Sequence, residues 1–150
     1  MPHPPPTTGK ATAKMRRLTL TLVLTVMMAA GLATAQDDVD DIRAVISEQI
    51  EAFKADDFDR AFTYASPNIK RMFGDSARFG RMVREGYPMV WRPADVRFSS
   101  LSEDDGRIVQ SVLMTDAGGA LFIVDYEMVP EGDSWRINGV RVRRSSAAGA

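Results

Sequence analysis

The segment Arg107–Val142 leaves the chain few ways to fold. It divides into three runs, Arg107–Thr115, Ala120–Val129 and Ser134–Val142. Between them lie Asp116-Ala117-Gly118-Gly119 and Pro130-Glu131-Gly132-Asp133. The runs are dense in Val, Ile, Leu, Phe and Tyr, side chains that suit a pleated, half-buried surface. The separators carry the Gly and Asp that tight turns use for positive φ and for local side-chain bonding. Three consecutive antiparallel strands are predicted. Asp95–Leu101, with Val96 and Phe98 on one face, adds another strand through the turn Glu103-Asp104-Asp105-Gly106. In the last run Trp135 and Ile137 share one phase, while Val140 and Val142 fall in the opposite one. The Asn138-Gly139 pair between them predicts a bulge that bends the sheet.

A sheet of this kind must bury a face, and only the upstream segments can cover it. Val39, Ile42, Val45, Ile46, Ile50 and Phe53 recur at helical spacing, which predicts a helix over Asp38–Ala55. The acidic run Asp37, Asp38, Asp40 and Asp41 belongs at its start, where carboxylates meet the positive end of the helix dipole. Phe58, Ala61, Phe62 and Ala65 predict a short second helix. Ser66-Pro67 reads as an N-cap followed by proline at the first helical position. Gly74 closes that turn, and Asp75 caps a further helix ending at Gly86. Arg78, Arg81 and Arg84 form a solvated stripe on it. Tyr87–Pro93, with two prolines, is predicted to be an extended crossing segment. The fold class is therefore α+β: N-terminal helices on a bent four-stranded antiparallel sheet.

The first 35 residues have the layout of a secretory signal. Lys14, Arg16 and Arg17 precede an apolar run from Leu18 to Leu32, and Ala33-Thr34-Ala35 offers a small-residue cleavage site. The run is shorter than the roughly 20 residues a membrane span needs. Cleavage after Ala35, export to the periplasm or beyond, and no membrane association thereafter are expected. Met15 would itself open a compact signal, which would make residues 1–14 a spurious extension. Residues 36–144 then form a single domain, and 145–150 a disordered tail.

Composition narrows the chemistry. All 20 acidic residues lie beyond Ala35, whereas Lys10, Lys14, Arg16 and Arg17 lie before it; 15 basic residues remain, and the domain carries a net charge of −5. Such a domain is poorly suited to neutralising phosphates, so nucleic acid is not an expected partner. The chain has no Cys, and its one His is His3. Beyond the signal segment, nucleophile systems built on His or Cys are excluded, as are zinc sites of the usual ligand types. No pattern calls for a cofactor or a metal.

Ala52-Phe53-Lys54-Ala55-Asp56-Asp57-Phe58, Ala65-Ser66-Pro67, Asp125–Val129 and Trp135-Arg136-Ile137-Asn138-Gly139-Val140 together resemble the ketosteroid-isomerase and nuclear-transport-factor-like superfamily. Met72-Phe73-Gly74-Asp75, Met82–Pro88 and Arg92-Pro93 more narrowly resemble a family of small exported bacterial proteins of unknown function. The resemblance implies a cone-shaped fold with a pocket between the concave sheet face and the helices. Tyr64, Tyr87, Trp91, Arg97, Asp125 and Tyr126 are the candidates to line it. The superfamily hosts isomerases, dehydratases, carriers and assembly modules, so the fold alone assigns no activity. The isomerase motifs, a carboxylate base with a Tyr and protonated-Asp oxyanion hole, are not reproduced here, and no catalytic residue is assigned.

Three functions compete. A non-enzymatic binding or accessory domain fits the missing His and Cys. An isomerase or lyase acting on a small apolar substrate would need a carboxylate buried beside a Tyr. A homodimeric structural module would use the outer sheet face, because Leu121 and Ile123, like Val109 and Leu113, place apolar side chains opposite the core-facing set.

Overall fold

A computed structural model describes residues 2–4 and 35–146. The signal run Leu18–Leu32 and the tail beyond residue 146 lie outside the described residues. The chain divides into two compact units, Met1–Asp38 and Val39–Ala150. The account below concerns the second.

Helix α1 covers residues 35–54. It is followed by α2 (Phe58–Thr63), α3 (Pro67–Phe73), α4 (Ser76–Gly86) and α5 (Pro88–Trp91). Four strands complete the fold: β1 (Asp95–Asp104), β2 (Arg107–Thr115), β3 (Leu121–Glu131) and β4 (Ser134–Arg144). They pair in sequence order as an antiparallel meander. The protein is α+β, with helices against one face of an open sheet.

The helical cover forms where the local chemistry predicts it. Ile42, Ile46, Ile50 and Phe53 bury one stripe of α1, while Val39 and Val45 flank it half-buried. Ser66 caps α3, its Oγ accepting from the Ile69 amide at 3.2 Å, with Pro67 opening the helix. Gly74 ends α3 at φ 80°, and Asp75 Oδ1 accepts from the Arg78 amide at 2.8 Å to cap α4. Tyr87–Pro93 departs from the extended segment predicted for it. Pro88 has the fixed φ that suits a first helical position, so the chain makes the single turn α5 instead. Its C-terminal end is tied back: Trp91 Nε1 and Arg92 each donate to the Asp56 carboxylate, at 2.9 and 2.8 Å.

The sheet has a dry inner face. Val112 and Met114 on β2, and Phe122, Val124, Tyr126 and Met128 on β3, are all buried beneath the helices. Two bulges shape it. In β1 the register shifts between Phe98 and Leu101, an irregularity the sequence analysis does not anticipate. In β4, Gly139 pairs with Glu127 and Ile137 with Met128, which leaves Asn138 as the extra residue. This is the predicted bulge. It turns Trp135 and Ile137, as well as Val140 and Val142, toward the helices. The first hairpin closes on Asp105 and Gly106, both at positive φ, within the predicted turn. At the end of β4 the Ser145 amide bonds to Leu121 O at 2.9 Å.

The approach of α4 to α2 depends on Gly80. A Cβ there would sit 2.5 Å from Cγ of Phe58 and 3.1 Å from its Cβ. In an exposed helix, Gly→Ala stabilises by about 1 kcal/mol. Here Gly80→Ala is expected to destabilise by about 1–3 kcal/mol, because the Phe58 ring must leave its place. Thermal denaturation of the variant checks this; a midpoint above that of the parent would mean that Phe58 repacks freely.

Candidate functional site

The β4 bulge sets up the site. Next to it, the linker between α2 and α3 docks on the open edge of β4. The Ser66 amide donates to Ile137 O at 2.8 Å, and the Ile137 amide donates to Tyr64 O at 2.9 Å. Ala65 and Ile137 form an isolated parallel bridge. Beside this junction lies a cavity of about 430 Å³.

Its walls come from several elements. α3 supplies Ile69, Met72 and Phe73; α4 supplies Phe79, Met82 and Val83; Tyr87 and Val90 close one side. Gln49 and Phe53 of α1, Ala65 of the linker and Ile137–Val140 of β4 form the rest. Phe79 is the hub of the aromatic packing, with ring centroids 5.1 Å from Phe62, 5.6 Å from Phe73 and 5.8 Å from Phe53. Only Gln49, Tyr87 and Asn138 carry polar side chains, and no Asp, Glu, Lys or Arg is among the lining residues. Two of the three are committed within the protein. Gln49 Nε2 donates to Ala61 O at 3.2 Å. The Asn138 amide accepts from Ser66 Oγ and donates to Glu127 Oε1, both at 2.8 Å.

A family model described as a domain of unknown function, DUF4864, matches residues 35–150. The chain belongs to this family. No curated protein and no solved structure matches it.

Of the six residues expected in the pocket of this DUF4864 domain, Tyr87 lines the cavity. Tyr64 lies outside the lining; its hydroxyl donates to Glu48 Oε2 at 2.6 Å, and that bond holds its pKa above the usual tyrosine value. Trp91 is fixed on α5 by Asp56, with the Arg92 guanidinium 4.7 Å from its ring. Arg97 and Asp125 stand on the opposite face of the sheet, since their cross-strand partners Leu113 and Ser111 alternate with the buried set. Arg97 pairs there with Asp95 at 2.9 Å. Asp125 accepts from Ser111 Oγ at 2.6 Å and from the Arg143 guanidinium. The cavity thus brings together residues that sequence reasoning passed over. Gln49 falls within the apolar stripe of α1 but is polar, and Met72 and Met82 are flexible side chains that suit a core gap as readily as a pocket wall. The legible signals were the Ser66 cap and the Asn138-Gly139 bulge.

The outer face has a groove of its own, about 420 Å³, where Arg107, Arg141 and Arg143 alternate with Asp104, Asp125 and Glu127. Among the described residues no group of three or more His, Cys, Asp or Glu could hold a metal, and no helix is long and apolar enough to cross a membrane.

Tyr126 lies on the inner face but within the core. It is fully buried, and its hydroxyl has no partner among the described residues. Burial pushes its pKa above the ordinary tyrosine value. Tyr126→Phe removes a buried hydroxyl that makes no bond, so it is expected to stabilise the domain by about 1 kcal/mol at neutral pH. Below a pH of about 10, Tyr126 is protonated in both folded and unfolded chains. Above that pH the unfolded chain releases the proton first, so the parent loses stability as pH rises. The Phe variant lacks this component. Urea unfolding of both proteins at neutral and strongly alkaline pH measures the two effects; a Phe variant less stable than the parent would reveal a bonding partner for the hydroxyl.

Proposed function

We propose that this protein is an exported, non-enzymatic binding or accessory domain that holds a small, uncharged, largely apolar ligand, built on the cone-shaped nuclear-transport-factor-like plan. The observation that carries this reading is the cavity beside the β4 bulge. Its volume of about 430 Å³ falls in the range of small-molecule pockets, roughly 300–1,000 Å³. Its lining is Phe, Met, Ile and Val with three polar side chains, the composition such pockets use. Met72 and Met82 suit it to an irregular apolar body, because their flexible thioethers adapt to the shape presented. An ion would enter without a counter-charge and lose its hydration, which is strongly unfavourable. The isomerase or lyase alternative needs a carboxylate within hydrogen-bond reach of the substrate, and the lining supplies none. Export rests on the cationic, apolar and small-residue order of Lys14–Ala35.

Titration with the neutral apolar fluorophore N-phenyl-1-naphthylamine tests the reading. Saturable binding of one probe per chain is expected. Met82→Lys, which brings a charge to the wall, should weaken it about tenfold or more while the fold persists. Absence of saturable binding by neutral apolar probes would overturn the proposal.

A second reading, pairing of two copies through the outer sheet face, is favoured by a separate observation. Val109, Leu113, Leu121, Ile123 and Val129 are half-buried on that face, and acidic and basic side chains share the groove beside them. A two-fold axis across such a patch sets apolar against apolar and Asp or Glu against Arg. Sedimentation equilibrium at micromolar concentration should then give a dimer, and Ile123→Glu a monomer. A parent that stays monomeric over a tenfold concentration range would remove this reading.

A further inference from the structure

We propose that α3 is a gate over the cavity, and that the hydrogen-bond chain Ser66–Asn138–Glu127 is its latch, reaching through the sheet to the outer face. The proposal rests on the reading of the cavity as a ligand site and adds how access to it is controlled.

The gate is visible in how little holds α3. It contains no buried residue, although three of its seven residues line the cavity. Among the described residues, Pro67–Phe73 makes no backbone hydrogen bond to another element. Met72, on its cavity side, is 66% exposed. At its far end Gly74 takes φ 80°, and a Cβ there would meet nothing within 4 Å. The helix is therefore attached to the rest of the fold through the packing of Ile69 and Phe73 and through its two ends. Segments with few buried contacts are the ones that open locally.

The latch is at the other end. Ser66 is buried and its backbone is fixed to Ile137. Its Oγ accepts from the Ile69 amide, which holds the first turn of α3, and donates to Asn138 Oδ1 at 2.8 Å. Asn138 is the bulged residue of β4, so its side chain is not committed to either sheet face by the strand alternation. Its Nδ2 donates to Glu127 Oε1 at 2.8 Å. Glu127 belongs to the outer groove, beside Asp125 and Arg141. A group that engages the Glu127 carboxylate from outside competes for the oxygen that orients Asn138. Asn138 then holds Ser66 less firmly, and the first turn of α3 lifts from the cavity. Glu127 and Asn138 are positioning residues in this scheme; Asn138 also borders the cavity.

Hydrogen exchange and probe kinetics together test it. In the parent, amides in Ile69–Phe73 should exchange faster than those in the centre of β2 and β3. Glu127→Ala, a change on the outer face that spares the core, should speed α3 exchange about tenfold and leave β2 and β3 unchanged. Asn138→Ala should do the same, and Glu127→Gln, which keeps the accepting oxygen, should restore parental exchange. In Glu127→Ala, which leaves the cavity lining intact, association and dissociation rates of N-phenyl-1-naphthylamine should rise together with little change in Kd, since a gate alters the barrier to entry more than the bound state. A merely structural role would instead loosen β2 and β3 alongside α3. That result, or α3 exchange unmoved in both Ala variants, overturns the gate. If exchange behaves as expected but no probe binds any variant, the ligand reading fails while the latched helix stands.

Discussion

One extra residue in β4 organises the junction of strand, linker and α3 beside which the cavity lies. Without the bulge at Asn138, the alternation of an edge strand would turn either Trp135 and Ile137 or Val140 and Val142 to solvent. With it, both pairs face the helices. Bulges also strengthen twist and bend the strand that carries them. The bent strand leaves Ile137 with a free edge, and the Tyr64–Ser66 linker satisfies that edge with two backbone bonds. An exposed strand edge is a liability for association with other chains, and at Ile137 it is covered from within the domain. The same junction fixes where α3 begins, and so where the cavity opens.

The opposite side of the sheet solves a related problem with a side chain. The irregularity in β1 leaves the carbonyls of Ser99 and Ser100 outside the regular ladder. Gln110, fully buried on β2, brings its Nε2 within 3.3 and 3.2 Å of them and 2.9 Å of Ser111 O. Its amide cannot be turned round without setting an oxygen against three carbonyls. That orientation leaves Gln110 Oε1 buried without a donor, directly across the strand pair from Tyr126, whose hydroxyl is also unpartnered. The inner face thus carries two unmet polar atoms, on cross-strand partners, in a largely apolar core. Unmet buried groups typically subtract about 1–3 kcal/mol each. The bulge is retained with that penalty present.

Much of this architecture was legible because its signals are local. The meander showed itself through β-rich runs punctuated by Gly and Asp, α3 and α4 through Ser66-Pro67 and Asp75, and the β4 bulge through a phase change at Asn138-Gly139. The site was less legible because its residues are brought together by packing across the chain. Strand alternation separates the neighbours Asp125 and Tyr126, but only packing decides that one meets the outer groove and the other the core. Tyr64 and Trp91 have amphipathic rings suited to a pocket, but Glu48 and Asp56 claim their polar ends. Gln49 and Met72 reveal their place only once α1, α3 and β4 are assembled. Nor does a bulge such as that at Ser99-Ser100 announce itself where neither Gly nor a phase change marks it.

The distribution of charge across the sheet gives the arrangement its chemical sense. The domain is rich in carboxylates and guanidinium groups, yet the cavity lining has neither, while the outer groove concentrates both. A surface that pairs Asp125 with Arg143 and Glu127 with Asn138 keeps its charges solvated or matched, the condition under which they add orientation without a large desolvation penalty. The cavity does the converse: its lining carries no charge and is mostly apolar, with Gln49, Tyr87 and Asn138 as its polar side chains. Asn138 is where these two environments meet. Its amide has one end on Ser66 at the cavity side and the other on Glu127 at the groove side. An amide is well suited to that position, because it offers an acceptor and a donor at once and carries no net charge into the apolar side.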